Sequence, residues 1–182
     1  MGRGTEMTSN SRTGLATAAL LSVAAVSSAA GQTTHTTSQS ANGVSPAAAA
    51  KDEAAIRGTL DAYSAALNDG STAAVLPLYT EDGIFMPPYS SSAIGRGEVR
   101  TAYDKVFTEL KFNVKFHIAE LVLMSSTYAY VRTNSAGTTA HASTGKTTAE
   151  ANQELFIFRR GNDGKWRIAR YSFSPTNPPS ES

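Results

Sequence analysis

The chain of 182 residues is 41% apolar and 17% charged and has no cysteine. That suits one domain with a packed core and excludes disulfides, a thiolate nucleophile and Cys-ligated metal centres. Sixteen Lys and Arg stand against fifteen Asp and Glu, with no basic block and balanced signs outside the first 50 residues, so the electrostatic footprint of a nucleic-acid binder is missing.

Arg3 and Arg12 precede an apolar run from Leu15 to Val26, and Ser27 to Ala30 supply the small residues a signal peptidase requires. This order predicts a secretory signal over residues 1–30 and a secreted or periplasmic mature protein; the other reading is an Ala/Ser/Thr extension without order. The run falls short of the ~20 apolar residues that span a bilayer, so the mature form is expected to be free of the membrane. Residues 31–44, mostly Thr, Ser, Gln, Asn and Gly, predict a disordered polar linker. The folded domain is then expected over residues 45–175, with a flexible tail at 176–182.

Ser45 as N-cap and Pro46 at the first helical position open a long helix that Asn68-Asp69-Gly70 stops. Ile56, Leu60, Tyr63 and Leu67 form its apolar stripe, which turns Tyr63 toward the core. A short helix from Ser71 ends at Pro77. Gly83-Ile84-Phe85-Met86 reads as a brief strand that Pro87-Pro88 ends at a sheet edge. Gly95-Arg96-Gly97 reads as a tight turn before a third helix, whose buried face carries Val99, Ala102, Tyr103, Val106 and Phe107.

Phe112, Val114, Phe116 and Ile118 alternate with Asn113, Lys115 and His117, a half-buried strand that continues toward Leu123 through a bulge at Ala119-Glu120. Tyr128 to Ser135 is the next strand, after which Ala136-Gly137 opens a polar loop running through Gly145. Thr148 to Arg160 and Lys165 to Ser174 complete the set, joined by the hairpin signal Gly161-Asn162-Asp163-Gly164. Three helices followed by antiparallel hairpins predict an α+β domain, with helices packed on one face of a curved sheet. Without crossover helices or a Gly-rich phosphate loop, an all-parallel sheet is excluded.

Tyr63-Ser64-Ala65-Ala66-Leu67-Asn68-Asp69-Gly70, Leu78-Tyr79-Thr80-Glu81-Asp82-Gly83, Met86-Pro87-Pro88, Gly95-Arg96-Gly97-Glu98-Val99-Arg100 and Trp166-Arg167-Ile168-Ala169-Arg170 resemble the SnoaL-like group. Within that group they are most similar to SgcJ/EcaC-type proteins, and the resemblance spans Ala54 to Ser174. It implies the cone-shaped fold of ketosteroid isomerase and nuclear transport factor 2, in which a curved sheet and a long helix enclose an apolar pocket. The superfamily's members include isomerases, cyclases, dehydratases, hydrolases, simple binders and homodimeric assembly modules, so the fold alone does not fix the reaction. In the ketosteroid isomerase pattern a helix tyrosine and a protonated carboxylic acid hold an oxyanion while a second carboxylate acts as base. Tyr63 matches the tyrosine and Glu154 the later acid. Pro87 stands where the base would be, so steroid isomerisation by that route is not implied.

Glu154 shares strand parity with Asn152 and Phe156. If Phe156 faces the pocket the carboxylate does too, and desolvation would raise its pKa toward the range of a general acid or base. The alternative is an outward glutamate paired with Arg132, Arg159 or Arg170. Tyr63 is either a ligand donor or a core tyrosine bonded to a carbonyl. Tyr79, Phe85, Met86, Tyr103, Phe107, Phe156 and Tyr171 would line an apolar pocket or simply fill the core, and Asn134 and Asn152 are candidate polar contacts. Parity at Asn134 is open, because Ala129 and Val131 compete with Tyr130 for the buried face. His35, His117 and His141 lack metal-ligand spacing, so neither metal nor cofactor is expected. Asp61 and Asp82 read as solvated positions, and Trp166 with Ile168 as sheet packing. The expected partner is a small, mostly apolar molecule bearing a carbonyl or hydroxyl. The expected function is cofactor-free isomerase, cyclase or hydratase chemistry by Glu154 and Tyr63, or else binding without catalysis or homodimeric assembly.

Overall fold

The computed structural model describes residues 45–177; the expected signal segment, the linker and the last five residues of the tail lie outside the described residues. Helix α1 runs Pro46–Asn68, opened by the Ser45 side chain, which accepts the Ala48 N–H at 3.3 Å. Gly70, at φ 65°, ends it in the left-handed region that glycine enters without strain. Helix α2, Thr72–Val75, runs into a single 3₁₀ turn at Leu76–Leu78. Then come strands β1 (Tyr79–Met86) and β2 (Ala93–Ile94), helix α3 (Gly95–Glu109), and strands β3 (Leu110–Leu123), β4 (Tyr128–His141), β5 (Thr147–Arg160) and β6 (Trp166–Pro175). The six strands form one mixed, open sheet in the order β2-β1-β6-β5-β4-β3. Only β1 and β6 pair in parallel. This is the expected α+β architecture.

The β3–β4 register shifts between Ile118 and Glu120, where the phase break predicted a bulge. Elsewhere the elements differ from the sequence reading. Strand β1 begins at Tyr79, four residues early, because turn-like Glu81-Asp82-Gly83 lies in a stretch where pairing with β6 is irregular. Gly95-Arg96-Gly97 forms the first turn of α3 instead of preceding it. Strand β4 continues to His141 through the expected loop, and Gly137 pairs with both Val114 and Glu150. A Cβ there would meet the Asn113 carbonyl oxygen at 2.0 Å, so this glycine marks a close approach of two backbones. Past β6, the Thr176 N–H and the Asn177 side chain still donate to the Ala151 and Ala149 carbonyls.

The core lies between the concave sheet face and the helices. Ile56, Leu60, Tyr63 and Leu67 of α1 and Val99 and Tyr103 of α3 pack on Val131, Phe156, Phe158, Ile168 and Tyr171. Each such side chain contributes roughly 1.5–3 kcal/mol through burial. Asp52 fixes where α1 sits. It is buried, accepts the Trp166 Nε1–H at 3.1 Å and faces Arg160 at 3.4 Å, joining α1 to the β5–β6 hairpin.

Candidate functional site

Strand β5 alternates, and Asn152, Glu154, Phe156 and Phe158 take the buried face. Glu154 is 6% exposed, so the inward reading holds. The arginines of the outward reading are engaged elsewhere: Arg132 pairs with Glu120, Arg159 pairs with Asp82, and Arg170 donates to the Asp82 and Ala169 carbonyls. Opposite Glu154 and Asn152 in register stand Thr133 and Ser135 of β4. Thr133 Oγ1 donates to Glu154 Oε2, Ser135 Oγ donates to Oε1 at 2.9 Å, and the Tyr171 hydroxyl reaches Oε1 at 3.4 Å. Burial pushes the Glu154 carboxyl from its ordinary 4.5 up to about 7, with the Thr133, Ser135 and Tyr171 hydrogen bonds pulling the other way. Asn152 donates its Nδ2 to Ser135 and Glu150, leaving its Oδ1 buried without a partner.

Tyr171 joins this carboxyl to a group of four buried tyrosines, each from a different element. The Tyr103 hydroxyl on α3 meets those of Tyr63 on α1 at 2.7 Å and Tyr79 on β1 at 3.0 Å. Tyr171 on β6 stacks on Phe156 at 4.2 Å between ring centroids and meets Tyr63 edge-on at 5.5 Å. Burial is the largest cause raising all four phenols well above the ordinary tyrosine range, so they stand as neutral donors. Tyr63 thus bonds a phenol, not the carbonyl of the core-tyrosine reading.

Tyr63, Tyr79, Phe85, Tyr103, Asn152, Glu154, Phe156 and Tyr171 therefore belong to one buried region. Phe107 sits half-buried at its margin, 5.6 Å from the Tyr103 ring. Two expected members lie elsewhere. Ala129, Val131, Thr133 and Ser135 take the buried face of β4, which leaves Asn134 exposed between His117 and Gln153. Alternation likewise puts Met86 on the opposite face of β1 from Phe85. Thr133 and Ser135 escaped the sequence reading. Their one signal is shared parity with Val131, legible only once the buried face of β4 is known.

Aromatic rings occupy the space between helices and sheet: Phe85 stacks on Tyr103 at 4.9 Å and on Tyr171 at 5.6 Å. On the far side of Phe85, a groove of about 470 Å³ runs between the 87–93 segment and α3, lined also by Ser90, Ala93, Thr101 and Lys105. A carboxyl titrating near neutrality beside neutral phenols and hydroxyls is equipped to move a proton and hold a developing oxyanion. Among the described residues no group of three or more His, Asp or Glu is placed to hold a metal ion, and no helix is long and apolar enough to cross a membrane.

The SnoaL-like domain profile matches residues 60–169. A ketosteroid isomerase-like protein from Erwinia carotovora atroseptica is 37% identical, with a TM-score of 0.67 over 69% of this chain and 96% of its own. A conserved protein from Planctomyces limnophilus is 25% identical, with a TM-score of 0.62 over 69% and 98%. A hexachlorocyclohexane dehydrochlorinase shares the fold at 11% identity, with a TM-score of 0.63 over 75% and 100%. No curated protein matches significantly. Profile, identity and fold agree: the chain belongs to the SnoaL-like domain family, and it shares its fold with a ketosteroid isomerase-like protein and with a nuclear transport factor 2-like protein.

Proposed function

We propose that this protein catalyses cofactor-free proton transfer on a small, mostly apolar molecule bearing a carbonyl or hydroxyl. The observation that carries this reading is Glu154, a buried carboxyl held by Thr133, Ser135 and Tyr171 and poised near neutral pH. In the proposed reaction Glu154 takes a proton from carbon beside the carbonyl and returns it at another position. The Tyr63 phenol, backed by Tyr103, donates to the oxygen that becomes negative, and the orphan Asn152 Oδ1 accepts from a ligand hydroxyl. The ligand arrives through the groove beside Phe85 and displaces that ring. The dehydrochlorinase that shares this fold removes hydrogen chloride, as its name states, a reaction that also draws a proton from carbon.

The test is uptake of solvent deuterium beside the carbonyl of cyclohexenone and fused-ring enones, followed by NMR. Wild-type protein should exchange, and Glu154→Gln should be slower by ~10²–10⁴. Equal rates would remove Glu154 from the chemistry. Pro87 at the position of the base favours a second reading, binding without catalysis, for which Glu154→Gln alters affinity at most.

Two further parts of this reading concern location and assembly. The N-terminal pattern supports export, checked by whether the mature protein begins near Gly31. The outer sheet face supports a homodimer, since Leu155 is 44% exposed there beside half-buried Val122, Tyr130 and Ile157; Leu155→Arg should then yield monomers by light scattering.

A further inference from the structure

A second concavity, whose lining includes none of the four buried tyrosines and not Glu154, is lined by three arginines. Arg96 and Arg100 lie one turn apart on α3 and share a face, while Arg167 reaches in from β6. With Ala73, Leu76 and Pro77 they line an open concavity of about 430 Å³, within the ~300–1,000 Å³ typical of small-ligand sites. One part of the lining is cationic and the other aliphatic.

The charges there do not cancel. Arg96 pairs with Glu81 at 2.5 Å and donates to the Tyr79 carbonyl at 3.0 Å, yet its Nε–H is buried with no acceptor. Arg167 is held by both oxygens of Asp163. Arg100 is exposed and belongs to none of the ion pairs found among the described residues. Three guanidinium groups against two carboxylates leave one positive charge unmatched.

We infer that this concavity binds a small organic monoanion, a carboxylate on a short apolar body. The planar fork of Arg100 matches a carboxylate, and the apolar body lies against Leu76 and Pro77. The charge excess of one favours a monoanion over a dianion such as phosphate, and the aliphatic lining favours an organic anion over a bare one. This site does not depend on Glu154.

The test uses the full chain at low ionic strength, where such contacts are least screened, with benzoate, benzyl alcohol and inorganic phosphate as probes. Benzoate should bind saturably, shift backbone amides at residues 95–100 in NMR spectra, and bind more tightly than either other probe. Arg100→Gln should weaken it by about tenfold or more while the unliganded melting temperature stays put, because the side chain is exposed and unpaired. Arg100→Lys should retain part of the affinity, and Glu154→Gln all of it. Non-saturating benzoate, equal binding of benzyl alcohol, tighter binding of phosphate, or unchanged affinity in Arg100→Gln would each overturn the inference.

Discussion

Replacing Glu154 by Gln tests the buried carboxyl before any substrate is known. The folded carboxyl titrates at about 7 and the ordinary one at 4.5. That gap of about 2.5 units corresponds to ~3 kcal/mol at ~1.36 kcal/mol per unit. The shift is upward, so the folded state holds its proton where the unfolded chain has already released it. Stability from this group is therefore complete below pH ~4.5, falls as pH rises toward ~7, and levels off above. Gln keeps the shape and the hydrogen-bonding capacity toward Thr133 and Ser135 but does not titrate. Urea unfolding of both forms between pH 4 and 8.5 isolates the effect, because every other group is common to both. Wild type should lose ~3 kcal/mol relative to Glu154→Gln across that window. Parallel curves, or a relative gain by wild type, would show that Glu154 is solvated or charge-paired and would refute its role.

Thr133→Val removes a donor to the ionised carboxylate, so the Glu154 titration followed by ¹³C NMR should move above its wild-type value of about 7; an unchanged titration would mean the contact is not made. Tyr103→Ala should destabilise the domain by roughly 3–5 kcal/mol, and Phe107→Ala, being half-buried, by less; equal melting temperatures for both would misplace the third helix. Gly137→Ala places a methyl 2.0 Å from the Asn113 carbonyl oxygen, so β3 and β4 must separate locally and stability should drop by more than ~3 kcal/mol. Hydrogen exchange confined to that ladder would locate the damage.

The helices were legible because their signals are local. Ser45, Pro46 and Gly70 act through their own backbone, and the stripes of α1 and α3 put Tyr63 and Tyr103 on buried faces. That the two phenols meet depends on where those helices lie over the sheet, which no local pattern encodes. Strand β4 was harder. Ala136-Gly137-Thr138-Thr139 has loop composition, yet its backbone is paired on both sides and glycine is required by contact with Asn113. Parity at Asn134 turned on small apolar Ala129 outcompeting Tyr130 for the core. Thr133 and Ser135 carry no periodic signal of their own, since hydroxyls suit either face of a sheet.

The rings that raise the Glu154 pKa also close its surroundings, and the two effects together make ligand binding proton-linked. The Tyr171 hydroxyl reaches the carboxyl and its ring stacks with Phe156 and Phe85, and burial in these surroundings disfavours the charged form. A neutral apolar ligand packed against the carboxyl removes the solvent that still reaches it, so the pKa in the complex should lie above the ligand-free value of about 7. Binding should therefore take up a proton above pH ~7, and affinity should fall toward tenfold per pH unit until the raised pKa is passed. Calorimetry with a fused-ring enone in buffers of different ionisation enthalpy reads that uptake directly. Glu154→Gln should abolish it while still binding. Heats that do not depend on the buffer in wild type would mean that the ligand does not reach the carboxyl, and the groove beside Phe85 would then not be its route.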